Sequence, residues 1–386
     1  MRLLYFIPVA VILAGCSNTP LNVKVVESDS SKLLVVDEAE VTETRDLKLS
    51  EIADDFRIVR FDNRDEAFFS PGMPAFSTNY IAAGKDPVKL FTRDGKYIAD
   101  VGAIGNGPGE YNIGVYDVMI DEEADRIYIM DFKKAIISYD LRGNFISKIP
   151  FPANINKGKL FKNPDGTMSV VHLCFKEDSY PFVAANFNPA MNPGDTIRYV
   201  FAPQLSCNLI DRQQNAAVGF ENEVWSYRCD GENTFHTTFN DTLYRYNNST
   251  DAVEARFVLD MKPERKDGGY FVYQPTPTFI FANIVGGSNR ATLLVDKQKL
   301  QAVRLGKRIN DYFFDLDHVG WNFHDGYVFG IYEPLALSDR LQKAIDEGNV
   351  SEEQIGPLRE FMSTLHENDN NIMIVARLRQ SGARDN

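Results

Sequence analysis

Apolar and polar residues alternate along most of this chain in short runs, and one such stretch is written twice. Residues 81–98 and 129–146 coincide at an offset of 48: Ile81 with Ile129, Val88 with Ile136, Phe91 with Tyr139, Gly95 with Gly143, Tyr97 with Phe145 and Ile98 with Ile146. Each copy reads as two short strands around a glycine turn. A unit this small cannot bury its own apolar face, so copies must stack, and the period and strand content point to propeller blades.

Further units follow from alternation and turn residues. They cover residues 76–101, 118–149, 159–201, 217–259, 278–305 and 312–332, which predicts an all-β, six-bladed β-propeller, with seven blades as the alternative count. Residues 338–366 break the pattern and predict a short C-terminal helical insertion. Ser338 would cap a first helix carrying Leu341, Ala344 and Ile345, and Ser351 with Gln354 would form a capping box ahead of Leu358, Phe361, Met362 and Leu365. The pair reads as a packed insertion beside the last blade, the other reading being a partner-docking hairpin. The strand Asn371 to Leu378 is expected to complete the last blade with the strand near Arg57 to Phe61, because closing a ring removes exposed sheet edges.

At the N-terminus Arg2 precedes the apolar run Leu3 to Leu13, which leads into Ala14-Gly15-Cys16. This resembles a bacterial lipoprotein signal, and the run is too short for a permanent span, which needs about 20 residues. The resemblance implies removal of residues 1–15, lipid on Cys16 and attachment to the cell envelope. Ser17 in place of an acidic residue favours the outer membrane and leaves the leaflet, periplasmic or surface, open. Residues 16–45 are polar and read as a flexible tether, and residues 46–386 as the propeller domain. The formal charge of −13 becomes one unit more negative when Arg2 is lost, and such a surface repels phosphate backbones and argues against nucleic acid as a partner. Hydrophobic residues at 44% suffice for a full core. Cys174, Cys207 and Cys229 have no paired spacing of the metal-binding kind and read as buried free thiols, although an oxidising compartment allows one disulfide.

The stretch Lys89 to Tyr111, KLFTRDGKYIADVGAIGNGPGEY, pairs two strands around Asp94-Gly95-Lys96 and ends in Gly107-Pro108-Gly109-Glu110-Tyr111. It resembles the six-bladed β-propeller lipoproteins of anaerobic Gram-negative gut bacteria, related to NHL-repeat propellers. The likeness extends to Asn240 through Tyr244, to Asn310 through Asp317 and to the closing strand after Asn370. It implies an envelope binding or scaffolding protein. Where that pattern carries glycines, this chain has Tyr312-Phe313-Phe314-Asp315.

For chemistry, Gly105, Gly107 and Gly109 form a loop whose amides could cradle an anion, with Glu110 and Tyr111 facing the ligand; the structural reading is a crossover that needs glycines for positive φ. Asp121, Glu123 and Asp125 begin like a calcium loop, but Arg126 and Phe132 stand at its sixth and twelfth positions, leaving a solvated hairpin turn. The richest polar cluster is Asp311, Asp315, Asp317, His318, Trp321, His324 and Asp325. From it Asp317, His318, Trp321, His324 and Asp325 are taken as candidate ligand residues at the mouth of the channel. No local metalloprotease, nucleophile-elbow or phosphate-loop motif is present. The expectation is a lipid-anchored binding propeller for a small molecule, a glycan or an envelope protein, with no cofactor. An NHL-type, metal-assisted lyase or hydrolase and a pure scaffold are the alternatives.

Overall fold

A computed structural model describes residues 21–27, 31–111, 115–131, 134–190, 195–211, 216–217, 222–261, 269–286 and 290–380. Cys16 and the signal segment lie outside the described residues. The first copy of the repeat folds as Ala75–Phe76, Tyr80–Ala83, Val88–Thr92 and Tyr97–Val101, a four-stranded antiparallel meander, blade 1. Its second copy gives blade 2, Asp117–Asp121, Arg126–Met130, Ala135–Tyr139 and Phe145–Pro150. Blades 3, 4 and 5 span 156–200, 224–260 and 270–310.

Blade 6 draws on both ends of the chain. Asn322–His324, Tyr327–Tyr332 and Ile372–Leu378 are joined by Ala53–Arg60 as the outermost strand, with Ile372 opposite Arg60 and Ile374 opposite Ile58. The closure expected from Asn371 to Leu378 is therefore present, and the fold is a six-bladed β-propeller.

Every blade is sandwiched between two others, so its strands are apolar on both faces. The core accordingly divides into interblade layers. Val88, Leu90 and Tyr111 pack on Ile127, Ile129, Ile137 and Tyr139 between blades 1 and 2, whereas Val59, Phe61, Phe329 and Met373 meet Phe76, Ile81 and Phe91 where blade 6 closes on blade 1. The repeated glycine has a specific task there. Gly95 and Gly143 both sit at positive φ, and a Cβ on either would lie 2.5 Å from the Arg60 carbonyl or 2.2 Å from the Asp100 carbonyl of the preceding blade. Only glycine allows the hairpin to approach its neighbour this closely.

Two expectations change. The segment read as a tether carries strands: Lys32–Asp37 pairs in parallel with the outer strand of blade 4, Val23–Glu27 pairs with Lys32–Asp37, and Thr44–Lys48 pairs in parallel with the outer strand of blade 5. Val23, Val36, Val41 and Leu47 are buried, so the short valine runs within the polar stretch are edge-covering strands. The helical insertion is present as α1, Pro334–Asp346, and α2, Glu352–Ser363, but with other caps. Ser338 lies inside α1, which begins with Pro334 in its first turn. Ser351 precedes α2 without a side-chain cap, and the Gln354 amide instead donates to Asp315 Oδ2 at 2.9 Å. Leu337, Leu341 and Leu358 pack on Phe313, Leu316, Ile372 and Ile374, which makes the pair a packed insertion on blade 6.

Candidate functional site

Of the predicted cluster, only His324 and Asp325 reach the middle of the ring. They end the first strand of blade 6, and Asp325-Gly326, both at positive φ, form the two-residue hairpin to Tyr327. There they meet Arg228 from blade 4 and Asp117 from blade 2. Arg228 Nε donates to Asp325 Oδ1 at 2.5 Å, Nη1 to Asp117 Oδ2 at 2.5 Å and to the Leu160 carbonyl at 3.2 Å, and Nη2 to the Val118 carbonyl at 2.9 Å. The carboxylates also accept backbone amides, Leu160 N on Asp117 at 2.7 Å and Phe76 N on Asp325 at 2.9 Å. Blades 1, 2, 3, 4 and 6 are thus tied through one guanidinium.

Burial alone would lower the Arg228 pKa, but Asp117 and Asp325 outweigh it and hold the guanidinium charged. Burial, and then the charge of Arg228, push His324 well below the usual imidazole range. His324 is therefore neutral. Arg228 Nη2 lies 2.8 Å from His324 Nε2, and since a guanidinium only donates, Nε2 accepts and the proton sits on Nδ1, which is buried without a hydrogen-bond partner. Arg228 itself lies at φ 49°, a strained position for a non-glycine residue, held by this set of bonds.

Toward the end of the channel where the innermost strands begin, a second group converges that the sequence reading did not single out. Lys157 Nζ donates to Glu223 Oε1 and to the Asn222 carbonyl, both at 2.5 Å, bridging blades 3 and 4. Lys159 Nζ donates to the Tyr116 carbonyl at 2.8 Å, bridging blades 3 and 2. Burial and then Glu223 raise the Tyr116 pKa, which places that phenol and carboxylate in one field. Burial lowers the Lys159 pKa, with Asp117 working against it, yet the residue is only half-buried. Trp225, two residues beyond Glu223, is also half-buried, with its Nε1 3.3 Å from Thr238 Oγ1. Tyr116, Lys157, Lys159 and Glu223 thus form a half-buried polar group beside the Arg228 knot, and Trp225 packs against the layer of Leu47, Phe281 and Phe323.

The other predicted residues lie elsewhere. Asp317 and His318 are exposed beside the outer strand of blade 5, where Asp317 Oδ1 accepts the Arg308 amide at 2.8 Å. Trp321 is buried among Leu47, Phe281 and Phe323. Tyr111 is 0% exposed: its hydroxyl donates to the Val101 carbonyl at 3.0 Å and accepts the Val88 amide at 2.7 Å, so it belongs to the core. Glu110 folds back on its own loop, accepting the Gly107 amide at 2.7 Å. A Cβ on Gly105 would stand 2.0 Å from Glu110 Oε2, so this glycine serves close approach. Neither it, Gly107 nor Gly109 has positive φ. The turn after Asp121 is a hairpin with Glu123 exposed, as expected, but Asp121 itself is buried, and it and Glu123 both lie 2.8 Å from Lys162 Nζ. Cys174, Cys207 and Cys229 are free thiols. Among the described residues no three His, Cys, Asp or Glu side chains gather in a way that could hold a metal, and the one imidazole at the ring centre has its Nε2 engaged by Arg228.

Residues 33–377 match the family model of DUF4934, a domain of unknown function. Among solved structures, a protein of Bacteroides fragilis described provisionally as exported is 14% identical with a TM-score of 0.61, covering 90% of this chain and 100% of its own. A DUF4221-family member from Bacteroides vulgatus is 10% identical with a TM-score of 0.48, over 86% of this chain and 98% of its own. The first likeness supports the propeller fold. No curated protein matches the chain.

Proposed function

Taking as its starting point that the chain belongs to the DUF4934 family, we propose that the protein is a lipid-anchored component of the cell envelope. Its propeller binds a polar ligand, a small molecule or a glycan, at the polar group beside the Arg228 knot. One observation carries the binding reading: Tyr116, Lys157, Lys159 and Glu223, brought from blades 2, 3 and 4, stand half-buried together beside the Arg228 knot, with the half-buried Trp225 two residues beyond Glu223. Half-buried aromatic rings with hydrogen-bonding charges between them suit a ligand with both polar groups and a flat apolar face. The anchor rests on Arg2, the run Leu3 to Leu13 and Cys16, and the described residues contain no helix long and apolar enough to cross a membrane. The provisional description of the Bacteroides fragilis neighbour as exported agrees with an envelope location.

The chain has two tryptophans, Trp225 and Trp321, so in a Trp321→Phe variant the fluorescence reports on Trp225 alone. Titrating that variant with soluble oligosaccharides released from envelope polysaccharide should quench or shift the emission. Adding Lys159→Met and Tyr116→Ala should abolish the response while leaving the melting temperature close to that of the parent. A ligand that binds the parent and this variant equally well would place the site elsewhere.

A further inference from the structure

The ordered N-terminal segment bears on how the protein stands on its membrane. Asn22 is clamped to blade 5 by a reciprocal pair of bonds: its Nδ2 donates to the Ala302 carbonyl at 2.8 Å, and its Oδ1 accepts the Ala302 amide at 2.7 Å. The next residue, Val23, is buried in the layer between blades 4 and 5. Between Cys16 and Asn22 there are only residues 17–21, and a chain of that length spans at most about 22 Å when fully extended. A lipid on Cys16 therefore cannot let the body drift free, as a tether to residue 45 would have done.

We infer that the rim of blades 4 and 5 around Asn22 lies against the phospholipid headgroups, so that the propeller stands on edge with both ends of its channel open sideways. This inference rests on the anchoring at Cys16 proposed above. The rim has the chemistry for that contact. Leu21, next to the leash, is 50% exposed. Lys24 and Lys299 have side chains 65% and 70% exposed, and Lys32 is exposed at the neighbouring hairpin. Their acidic neighbours are Glu40, 3.7 Å from Lys24, Asp296, 3.7 Å from Lys299, and the exposed Glu27 opposite Lys32; the two ion pairs are loose surface contacts that exchange readily for phosphates. In a six-membered ring the blade opposite blade 5 is blade 2, whose outer strand carries the exposed Lys148.

The test uses full-length, lipidated protein on vesicles of phosphatidylethanolamine and phosphatidylglycerol, treated with a membrane-impermeant acylating reagent and read lysine by lysine by mass spectrometry. Lys24 and Lys299 should react several-fold more slowly than in the soluble Cys16→Ala protein, while Lys148 should be unchanged. A flexible glycine-serine insert of about 20 residues after Ser17 should restore their reactivity without loss of lipid. Lipidated protein in which Lys24, Lys299 and Lys148 all react as in the soluble form would overturn the edge-on placement and leave the anchor standing. An intact mass showing bare Cys16 would remove the anchor itself and the placement with it.

Discussion

Arg228 shows how much one side chain can hold in place. Replacing it with methionine strands Asp117 and Asp325, both nearly closed to solvent, and breaking a buried ion pair from one side costs about 3–5 kcal/mol. Chemical denaturation should show that loss. Adding Asp117→Asn and Asp325→Asn to Arg228→Met should recover part of it, because the penalty is the uncompensated charge. His172 offers a separate test in pH. Burial pushes its pKa down to about 4, so the unfolded chain, with an ordinary imidazole, takes up its proton first. The stability contributed by keeping His172 neutral is whole above about pH 6.5 and falls away as the pH drops toward 4, by roughly 3 kcal/mol. Asp230, which burial pushes up to about 6, works in the opposite sense, losing stability as pH rises through the same range. A His172→Asn variant, whose amide oxygen can still accept the Asn156 amide, should therefore show less acid destabilisation between pH 6.5 and 4 than the parent, whatever Asp230 does.

The hairpin glycines test how blades register against each other. Gly143→Ala puts a methyl 2.2 Å from the Asp100 carbonyl at φ 82°, and backbone strain together with overpacking should cost about 2–5 kcal/mol. Gly166 has the same φ of 82° but nothing within 4 Å of a built Cβ, so Gly166→Ala should cost only the strain, about 1 kcal/mol. Thermal melts of the two variants separate the interblade contact from the turn; equal shifts would mean that blades 1 and 2 do not meet there. Gly95 and Gly143 were visible as a repeat. Their task was not, because the Asp100 carbonyl belongs to another blade.

For the molecule as a whole, closure should dominate stability. Ending the chain after Asn370 deletes Ile372–Leu378, the strand between Tyr327–Tyr332 and Ala53–Arg60, and unzips blade 6 on both sides. That loss can exceed a typical stability of about 5–15 kcal/mol, so the cooperative melt should vanish. Starting the chain at residue 42 removes Val23–Glu27 and Lys32–Asp37 from the edge of blade 4 and leaves the ring closed. This variant should still melt cooperatively, at a lower temperature. If it failed to fold while the C-terminal truncation survived, the ring would not be sealed as described.

Alternation, its break after residue 338, glycine turns and the need to hide sheet edges determined the blade architecture, its closure by Ile372–Leu378 and the helical insertion, because these depend on neighbours within about four residues or on the general cost of an open edge. The candidate site could not be read that way. Asp117 and Asp325 lie 111 and 97 residues from Arg228, and Lys157 lies 66 from Glu223, with no spacing that repeats. The Asp325-Gly326 hairpin was a local signal that could have brought His324 to the end of an inner strand, but Arg228 had no such signal. Conversely, the compact polar cluster Asp317, His318 and Trp321 came apart, because a strand end and a turn send neighbouring residues to the rim, to solvent and into the core. Tertiary structure alone decided which side chains meet at the channel, since a propeller brings residues together by the angle between blades and not by their order in the chain.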